Sequence, residues 1–337
     1  MVQLPTSVAE LSLRFSRFAD LWCRDESPLY CSLGAAVAED AALLDLLARC
    51  PRPQPTLFFA AAQFLGAPHD SYEAFRAFVL NRASDVLALM QIRRTQTNEV
   101  GRCAVLLPAL AALPQPLALL EVGASAGLCL LLDRYAYEYE VGESRLTIGD
   151  GPVRLRSVAR GPVPIPRQLP EVIWRRGLDL APIDVTDLGA VRWLEACIWA
   201  DQPERLERLR AAIALARETP PVVVRGDAIT DLWRLVAEAP RHATLVIFHS
   251  AVLLYLNAAE RQVFAGLVRR TDAVWLANEP TEVLHPGRPM ESPAGRFVLT
   301  QNGEVLAVTH PHGRWIDWTE ACQTGPPPLL RADEVIQ

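Results

Sequence analysis

The stretch LLEVGASAG, residues 119–127, decides the fold. An apolar run ends at the acidic Glu121, and small residues follow at once between Gly123 and Gly127. A buried strand that ends in a glycine-rich turn and leads into a helix is typical of open parallel α/β sheets, which bind ligands beyond the carboxyl ends of their strands. We therefore expect a ligand site where this strand ends.

The rest of the C-terminal part alternates short β-rich runs with helical stretches. The β-rich runs are LALLEV (117–122), EVIWRRGLD (171–179), PVVVRGD (221–227), ATLVIFHS (243–250) and DAVWLANE (272–279). Such alternation predicts a mostly parallel sheet with helices on both faces. GRFVLTQNGEVLAVTHP (295–311) contains two β-rich runs around Asn302-Gly303, a strong hairpin signal, so we expect the sheet to finish with antiparallel strands.

Residues 1–115 have helical periodicity and predict a separate helical domain. TLFFAAAQFLG (56–66) is apolar nearly all round and should lie in the middle of a bundle. SYEAFRAFVLNRASDVLALMQIRR (71–94) predicts one long amphipathic helix capped by Ser71. The expected order is a helical N-terminal domain (1–115), an α/β domain (116–320) and a C-terminal tail (321–337).

The α/β domain contains an insertion near residues 141–170. About 44 residues separate Arg134 from Asp179, more than a helix-to-strand connection needs. RLTIGDGPVRLRS (145–157) predicts a hairpin around residues 149–151, and a proline-rich loop follows it.

Composition excludes several classes of function. The 337 residues carry a net charge of −6, which disfavours a nucleic-acid surface. The seven cysteines form no C-x-x-C pair, which disfavours a zinc site and a disulfide framework. We see no secretion signal or membrane span and expect a cytoplasmic protein.

All 33 basic residues are arginine. The absence of lysine excludes a pyridoxal phosphate Schiff base, a phosphate-binding P-loop and a lysine general base.

The turn after the first strand does not fit the dinucleotide fingerprint. That fingerprint places glycines at positions one, three and six of the loop, and Ser125 and Leu128 stand at the last two. The pattern E-x-G-x-x-x-G, formed by Glu121, Gly123 and Gly127, resembles the first motif of class I S-adenosylmethionine-dependent methyltransferases. Ser125 stands where those enzymes usually have a middle glycine.

Downstream segments extend this resemblance over residues 117–311. RRGLDLAP (175–182) resembles the second methyltransferase strand, whose terminal acid bonds the ribose hydroxyls, and VVVRGDAITDL (222–232) resembles the third, whose acid receives the adenine amino group. LVIFHSAVLLYLNAAERQVFAGLV (245–268) resembles the fourth strand and its helix, and the terminal hairpin resembles the antiparallel seventh strand. The resemblance implies a Rossmann-like fold and S-adenosylmethionine as cofactor, held by Glu121, Gly123, Ser125, Gly127, Asp179, Asp227 and Ala228.

The second strand has an alternative. If YAYEYEV (135–141) takes that place, Glu138 or Glu140 becomes the ribose ligand and Asp179 is structural. We favour Asp179.

Nearly the whole chain is also similar to a bacterial family known as domain of unknown function 2332. The similarity is carried by SPLY (27–30), QTNEVGR (96–102), LLEVGASAGLCLLLDRY (119–135), GLDLAPIDVTD (177–187) and FHSAVLLYL (248–256). This second resemblance implies no particular activity.

His249, at the end of the fourth strand, is the titratable residue best placed to act as a general base. A buried histidine bonded to a neighbouring loop is the competing interpretation. His310 and His312 have no cysteine or acidic partner at ligand spacing, so we expect no metal site.

Two polar groups can bind substrate. Asn98, Glu99 and Arg102 precede the sheet and can cover the cofactor or orient an acceptor, or they can simply cap a helix. Asn278 and Glu279 follow the fifth strand and can bind substrate or cap a loop.

The sequence thus predicts methyl transfer to a small-molecule acceptor, in a pocket formed by the N-terminal helices and the 141–170 insertion. The amino-group methylation motif of nucleic-acid enzymes is absent, so we expect no nucleic acid as partner. We expect no membrane partner either, because no stretch is a good membrane span. The oligomeric state stays open. The alternatives are a non-catalytic binding or assembly protein and, disfavoured by the failed fingerprint, a nucleotide-binding oxidoreductase.

Overall fold

The computed structural model describes residues 7–24, 26–96, 98–284 and 296–319. These residues form two compact units. The helical unit contains the described residues up to 96 together with 183–210, and the sheet unit contains 98–182 and the described residues from 211 onward. The division therefore lies at residue 97 and not at 115, and a segment from the middle of the chain joins the N-terminal helices.

The helices within the described residues are α1 (Val8–Arg17), α2 (Pro28–Glu39), α3 (Ala41–Leu47), α4 (Pro55–Phe64), α5 (Tyr72–Asn81), α6 (Ala83–Ile92), α7 (Cys103–Ala111), α8 (Leu188–Ala196), α9 (Pro203–Glu218), α10 (Leu232–Glu238), α11 (Ala258–Val268) and α12 (Thr281–Leu284). A wider π-helical segment, Phe18–Cys23, extends α1. Short 3₁₀ segments span Val100–Arg102, Leu128–Arg134 and Leu253–Tyr255. None of the helices in the described part is long and apolar enough to cross a membrane.

Helix α4 lies in the centre of the helical unit, as its composition predicted. Residues 57–62 are all buried. The rings of Phe58 and Phe59 contact Phe15 and Phe75 at centroid distances of 5.8 to 6.0 Å. Such aromatic pairs stabilise a core by about 0.5–1.5 kcal/mol beyond their buried area.

The predicted long helix over 71–94 is two helices. Ser71 caps α5 as expected, since its hydroxyl accepts a hydrogen bond from the Ala74 amide. The chain leaves the helical conformation at Arg82 (φ −114°, ψ 26°) and re-enters it in α6. The buried positions on the two helices keep a helical spacing across this break, so the sequence pattern did not reveal it.

The strands of the sheet unit are β1 (Leu117–Val122), β2 (Ala136–Val141), β3 (Ser144–Ile148), β4 (Arg154–Arg160), β5 (Val172–Asp179), β6 (Val223–Arg225), β7 (Thr244–Ser250), β8 (Val274–Pro280), β9 (Phe297–Gln301), β10 (Glu304–Thr309) and β11 (Trp315–Trp318). They form one sheet in the order β3-β2-β4-β11-β10-β9-β8-β7-β1-β5-β6. The protein is thus a mixed α/β protein with a helical N-terminal region and a large, mostly parallel sheet with C-terminal antiparallel strands.

The five predicted parallel strands lie side by side as β6-β5-β1-β7-β8. The chain proceeds outward from β1 through β5 to β6 and then returns to β7 on the other side of β1. The direction of winding therefore reverses between β1 and β7. All six residues of β1 are buried, as expected for a central parallel strand.

Helices α10 and α11 cover one face of this parallel region. Leu120 and Ile247 from the sheet belong to one apolar cluster with Leu235 of α10 and Phe264 of α11. Because side chains alternate along a strand, Glu121 lies on the opposite face from Leu120. The two faces of the sheet therefore offer different chemistry at the end of β1.

The C-terminal hairpin is confirmed, but the sheet continues past it. Strands β9 and β10 pair antiparallel around Asn302 and Gly303, which both have positive φ, at 54° and 90°. Strand β11 then pairs antiparallel with β10 and parallel with β4. The hairpin is therefore an internal part of the eleven-stranded sheet.

The predicted hairpin over 145–157 is wrong in its pairing. Strand β3 pairs antiparallel with β2, through a turn at Gly142 (φ 58°), and β4 pairs with β2 in parallel. The residues around Gly151 do not turn back onto β3, because their backbone packs against the Arg134 carbonyl. Five strands separate β4 from β1, about 29 Å at the usual strand spacing, so these inserted strands do not border the end of β1.

Candidate functional site

Most of the predicted site residues lie at one edge of the sheet. Because β1, β5, β6, β7 and β8 are parallel, their carboxyl ends meet there. The residues at or just after these ends are Gly123, Ser125 and Gly127 after β1, Asp179 at the end of β5, Asp227 and Ala228 after β6, His249 in β7, and Asn278 and Glu279 in β8. The edge coincides with the reversal of winding, which is where open α/β sheets bind ligands.

Strand β5, not β2, lies beside β1. The register pairs Glu121 with Gly177 on β5, which places Asp179 next to the glycine turn. Among the described residues, strand β2 pairs with β3 and β4, so YAYEYEV does not take the place beside β1 that the alternative with Glu138 or Glu140 required. Glu138 instead forms ion pairs with arginines of the neighbouring strands.

The turn over residues 123–127 has three residues with positive φ. Gly123 (72°) and Gly127 (70°) adopt this conformation without a steric penalty, whereas Ser125 (53°) adopts it at a cost of about 1–2 kcal/mol. Ala251, just after β7, also has positive φ (59°). Two strained non-glycine residues therefore border the point at which the winding reverses, a pattern that is common at functional sites.

Every N–H group of this turn already has an acceptor within the protein. Gly123 and Ala124 donate to the Leu178 carbonyl, Ser125 to Asp179, Ala126 to Asn98, and Gly127 to the Ala124 carbonyl. The turn therefore offers no free backbone donor to a ligand. It differs in this respect from a phosphate-binding loop, whose N–H groups point at the anion.

Close packing also explains why glycine occupies positions 123 and 127. A Cβ atom at Gly123 would lie 2.4 Å from Val252 Cγ2, and one at Gly127 would lie 2.8 Å from Pro221 Cγ and from Val223 Cγ2. Any larger residue would push the turn away from the loop after β7 or from the segment that leads into β6. The glycines are needed for the architecture, independently of any ligand.

Asn98 holds the turn from the side. Its Nδ2 donates to Ser125 Oγ at 2.6 Å, and its Oδ1 accepts from the Ala126 amide at 3.0 Å. Both residues of the turn are buried, as is Asn98 itself. Asn98 thus stabilises the strained conformation of Ser125.

Asp179 and Asp227 lie at neighbouring strand ends. Asp179 Oδ2 accepts from the Ser125 amide at 2.7 Å, and its Oδ1 accepts from the Ala181 amide at 2.7 Å. Asp227 Oδ1 accepts from Ile229 at 2.7 Å. Both carboxylates are half-buried and retain lone pairs for a further donor. Ala228 packs against the apolar cluster beneath them.

Glu121 is buried near Cys129, on the face of the sheet opposite the one that α10 and α11 cover. Its Oε2 has no hydrogen-bond partner among the described residues. Burial raises the pKa of Glu121 well above its usual range, and Cys129 and Asp179 add to that rise while Arg102 opposes it. Burial therefore favours the neutral form of this carboxyl group.

Glu99 and Arg102 organise the segment before α7. Glu99 Oε1 accepts from the Gly101 amide at 3.0 Å, which fits the capping interpretation. Arg102 donates to the Pro311 carbonyl and to the Ser250 carbonyl, at 2.9 and 3.0 Å. Both side chains are nearly inaccessible to solvent, so this arrangement favours a role in holding the end of β7.

His249 is fully buried and both of its ring nitrogens are engaged. The Trp275 indole N–H donates to Nε2 at 2.9 Å, so Nε2 is an acceptor and the ring proton lies on Nδ1. Nδ1 lies 2.6 Å from Glu279 Oε1. With no lone pair left for a substrate, His249 in this structure fits the structural interpretation and not that of a general base.

Asn278 and Glu279 both stabilise the loop after β7. Asn278 Nδ2 donates to Ser250 Oγ at 3.0 Å, and the backbone carbonyl of Asn278 accepts from the Ala251 amide. Glu279 Oε1 accepts from the Val252 amide at 2.8 Å. Glu279 Oε2 is buried and has no hydrogen-bond partner among the described residues.

One family of known sequences matches nearly the whole length over which the structure describes the chain. A family described as an uncharacterized protein conserved in bacteria, domain of unknown function 2332, matches residues 12–318. The chain belongs to this bacterial family. No curated protein matches the sequence.

Sequence reasoning missed Trp275 and Val252. Trp275 contacts His249 from the next strand, and Val252 connects Glu279 to the glycine turn. Both depend on the register of β7 and β8. Residue types and spacing do not reveal that register, although the order of the strand ends did predict the shared edge.

Proposed function

We propose that the carboxyl edge of β1, β5 and β6 binds S-adenosylmethionine, and that the protein transfers its methyl group to a small-molecule acceptor. The observation that carries the proposal is the glycine turn at the reversal of winding, with all of its N–H groups satisfied internally. In their order along the chain the five parallel strands lie as third-second-first-fourth-fifth, the order of doubly wound nucleotide-binding sheets.

The satisfied turn favours a ligand without phosphate. A dinucleotide places its pyrophosphate on free N–H groups at this position. S-adenosylmethionine has an adenosine group but no phosphate, so it needs acceptors for ribose and adenine more than donors for an anion. This distinction supports the methyltransferase resemblance over the oxidoreductase alternative.

Asp179 and Asp227 are suited to the adenosine group. By the methyltransferase resemblance, Asp179 is the residue that accepts hydrogen bonds from the ribose hydroxyls. Asp227 is the residue that accepts one from the adenine amino group, beside Ala228. Each carboxylate uses some lone pairs to fix its own loop, so its position is set before the ligand arrives. Pre-organised acceptors reduce the entropic cost of binding.

Methyl transfer places modest demands on the protein. Holding the acceptor in line with the methyl group supplies much of the rate enhancement. The buried His249 is not required as a base under this proposal.

A non-catalytic binding protein is the second candidate, and the same glycine turn favours it. Steric packing alone accounts for Gly123 and Gly127. Under this alternative the glycine turn serves only the packing of the sheet, and the carboxyl edge does not bind S-adenosylmethionine.

Calorimetric titration with S-adenosylhomocysteine, with NADH as a comparison, tests the proposal. We expect micromolar binding of the first ligand only. Asp227→Asn keeps the cap of the Ile229 amide but removes the charge, and it should weaken binding about tenfold or more.

Asp184→Asn is the matched control, because Asp184 caps a similar turn within the helical unit. Binding should be unchanged in this control. No binding of S-adenosylhomocysteine by the unmodified protein would sink the proposal and favour the non-catalytic alternative.

A further inference from the structure

We infer that Glu279 Oε2 binds the ammonium group of an amine ligand, and that His249 and Trp275 are positioning residues for it. The description of this ligand as the methyl acceptor rests on the proposed function, whereas the amine site itself does not. The observation that leads to it is a carboxylate with one oxygen fully engaged and the other buried without a hydrogen-bond partner among the described residues.

A hydrogen-bond chain fixes the orientation of the carboxylate. Trp275 donates to His249 Nε2, and His249 Nδ1 donates to Glu279 Oε1. The Val252 amide donates to the same oxygen. Oε1 therefore anchors the group to two strands and a loop, and Oε2 is left in a single orientation.

The second oxygen is shielded from bulk solvent. Glu279 is completely inaccessible to solvent, and Oε2 has no donor among the described residues. A buried acceptor without a partner is unfavourable, and native proteins rarely keep one unless it serves a ligand, a water or an ion. A ligand that brings a donor to Oε2 removes this penalty.

The charge of the surroundings selects a cation. The indole, the neutral imidazole and the Val252 amide are all uncharged donors, so none of them neutralises the carboxylate. A protonated amine supplies both the donor and the compensating charge.

The site lies next to the glycine turn. Val252 donates its amide to Glu279, and its Cγ2 atom occupies the space that a side chain at position 123 would need. Only one residue therefore separates the carboxylate from the turn of the proposed cofactor site. An amine bound at Glu279 is adjacent to that site, as a methyl acceptor must be. For transfer to its nitrogen, the ammonium group first passes one proton to Glu279 Oε2, and the freed lone pair then forms the N–C bond while the S–C bond of S-adenosylmethionine breaks and S-adenosylhomocysteine leaves.

Phe264 and Trp275 add an aromatic wall to this region. Phe264 packs edge-on against His249 at a centroid distance of 5.5 Å and against Trp275 at 6.1 Å. The apolar surroundings lower the local dielectric, which strengthens a charge-assisted hydrogen bond. They also favour an amine with an apolar body over a multiply charged one.

Butylammonium chloride is a suitable probe, read through the Trp275 indole N–H signal in ¹H–¹⁵N NMR spectra of the full chain. The signal is assigned with Trp275→Phe. Because the indole donates into the chain that ends at Glu279, binding at Oε2 should shift it. A ligand of this size can reach about millimolar affinity. The comparison ligands are 1-butanol, which has the same size but lacks the charge, and sodium butyrate, which is similar in size and reverses the charge.

We expect a saturable shift with butylammonium and binding about tenfold or more weaker with the alcohol and the carboxylate. Glu279→Gln should weaken amine binding by a similar factor. Glu282→Gln, which changes an exposed acid three residues away, should bind like the unmodified protein. A purely structural hydrogen-bond chain would give no probe-dependent shift.

No shift with butylammonium, equal shifts with the alcohol, or undiminished binding in a folded Glu279→Gln protein would overturn the inference. If that variant fails to fold, the three probes on the unmodified protein decide. Binding of butylammonium without binding of S-adenosylhomocysteine would refute the proposed function and leave the amine site. The reverse result would refute the amine site alone.

Discussion

Replacing Asn98 by alanine should loosen the glycine turn. The variant removes the acceptor of the buried Ala126 amide and the donor to Ser125 Oγ. An unsatisfied buried donor costs about 1–3 kcal/mol, and loss of the second hydrogen bond adds about 1 kcal/mol. We expect a local destabilisation of about 2–4 kcal/mol, which corresponds to roughly 30-fold to several-hundred-fold faster opening.

Native-state hydrogen exchange of the Ala126 amide measures this effect directly. The local readout is preferable because the Ala126 amide reports the opening of the turn itself, which can occur at a lower free energy than global unfolding. Asn257→Ala is the comparison, since Asn257 caps α11 at the surface and its loss should cost about 1 kcal/mol without changing exchange at residue 126. Unchanged protection of the Ala126 amide in Asn98→Ala would refute the assignment of Asn98 as the clamp of the turn.

Three further predictions use urea unfolding monitored by circular dichroism. Gly127→Ala should cost about 3 kcal/mol or more, because a steric clash adds to the positive φ, whereas Gly66→Ala, with positive φ but open space, should cost about 1 kcal/mol. His249→Ala should cost about 3 kcal/mol or more, because it leaves buried partners unsatisfied, and the exposed His242→Ala should change stability by less than about 0.5 kcal/mol. Burial raises the pKa of Glu121, so the folded state binds this proton more tightly than the unfolded state. Stability should therefore fall as pH rises above about 4.3, the ordinary glutamate pKa, and Glu121→Gln should remove that part of the decline.

Each of these has an outcome that contradicts it. Equal costs for the two glycine variants would mean that packing around Gly127 relaxes freely. A His249→Ala protein of unchanged stability would show that the buried hydrogen-bond chain is not structural. A steeper decline with pH in Glu121→Gln would mean that the carboxyl group is ionised in the folded protein.

Much of the fold could be predicted from local pattern. The β-rich run before the glycine turn, the four later parallel strands and the Asn302-Gly303 hairpin all occur where the sequence placed them. These features depend on periodicity and on turn residues, which act over a few positions. The pairing of β2 with β3 and β4 was not predicted, because a residue such as Gly151 can serve a turn or a close backbone contact equally well.

For the candidate site, the sequence predicted which residues lie at the strand ends but not which side chains they contact. That Asp179 and His249 lie at one edge follows from parallel strands, and the structure has them there. What His249 does depends on Trp275, which faces it only because β7 and β8 pair in one particular register. A shift by one residue would turn every side chain of the strand to the other face and free the imidazole. The difference between a general base and a positioning residue is therefore decided by strand register. The proposed ligand-binding atom at this edge is accordingly Glu279 Oε2, which has no hydrogen-bond partner among the described residues, and not the histidine beside it.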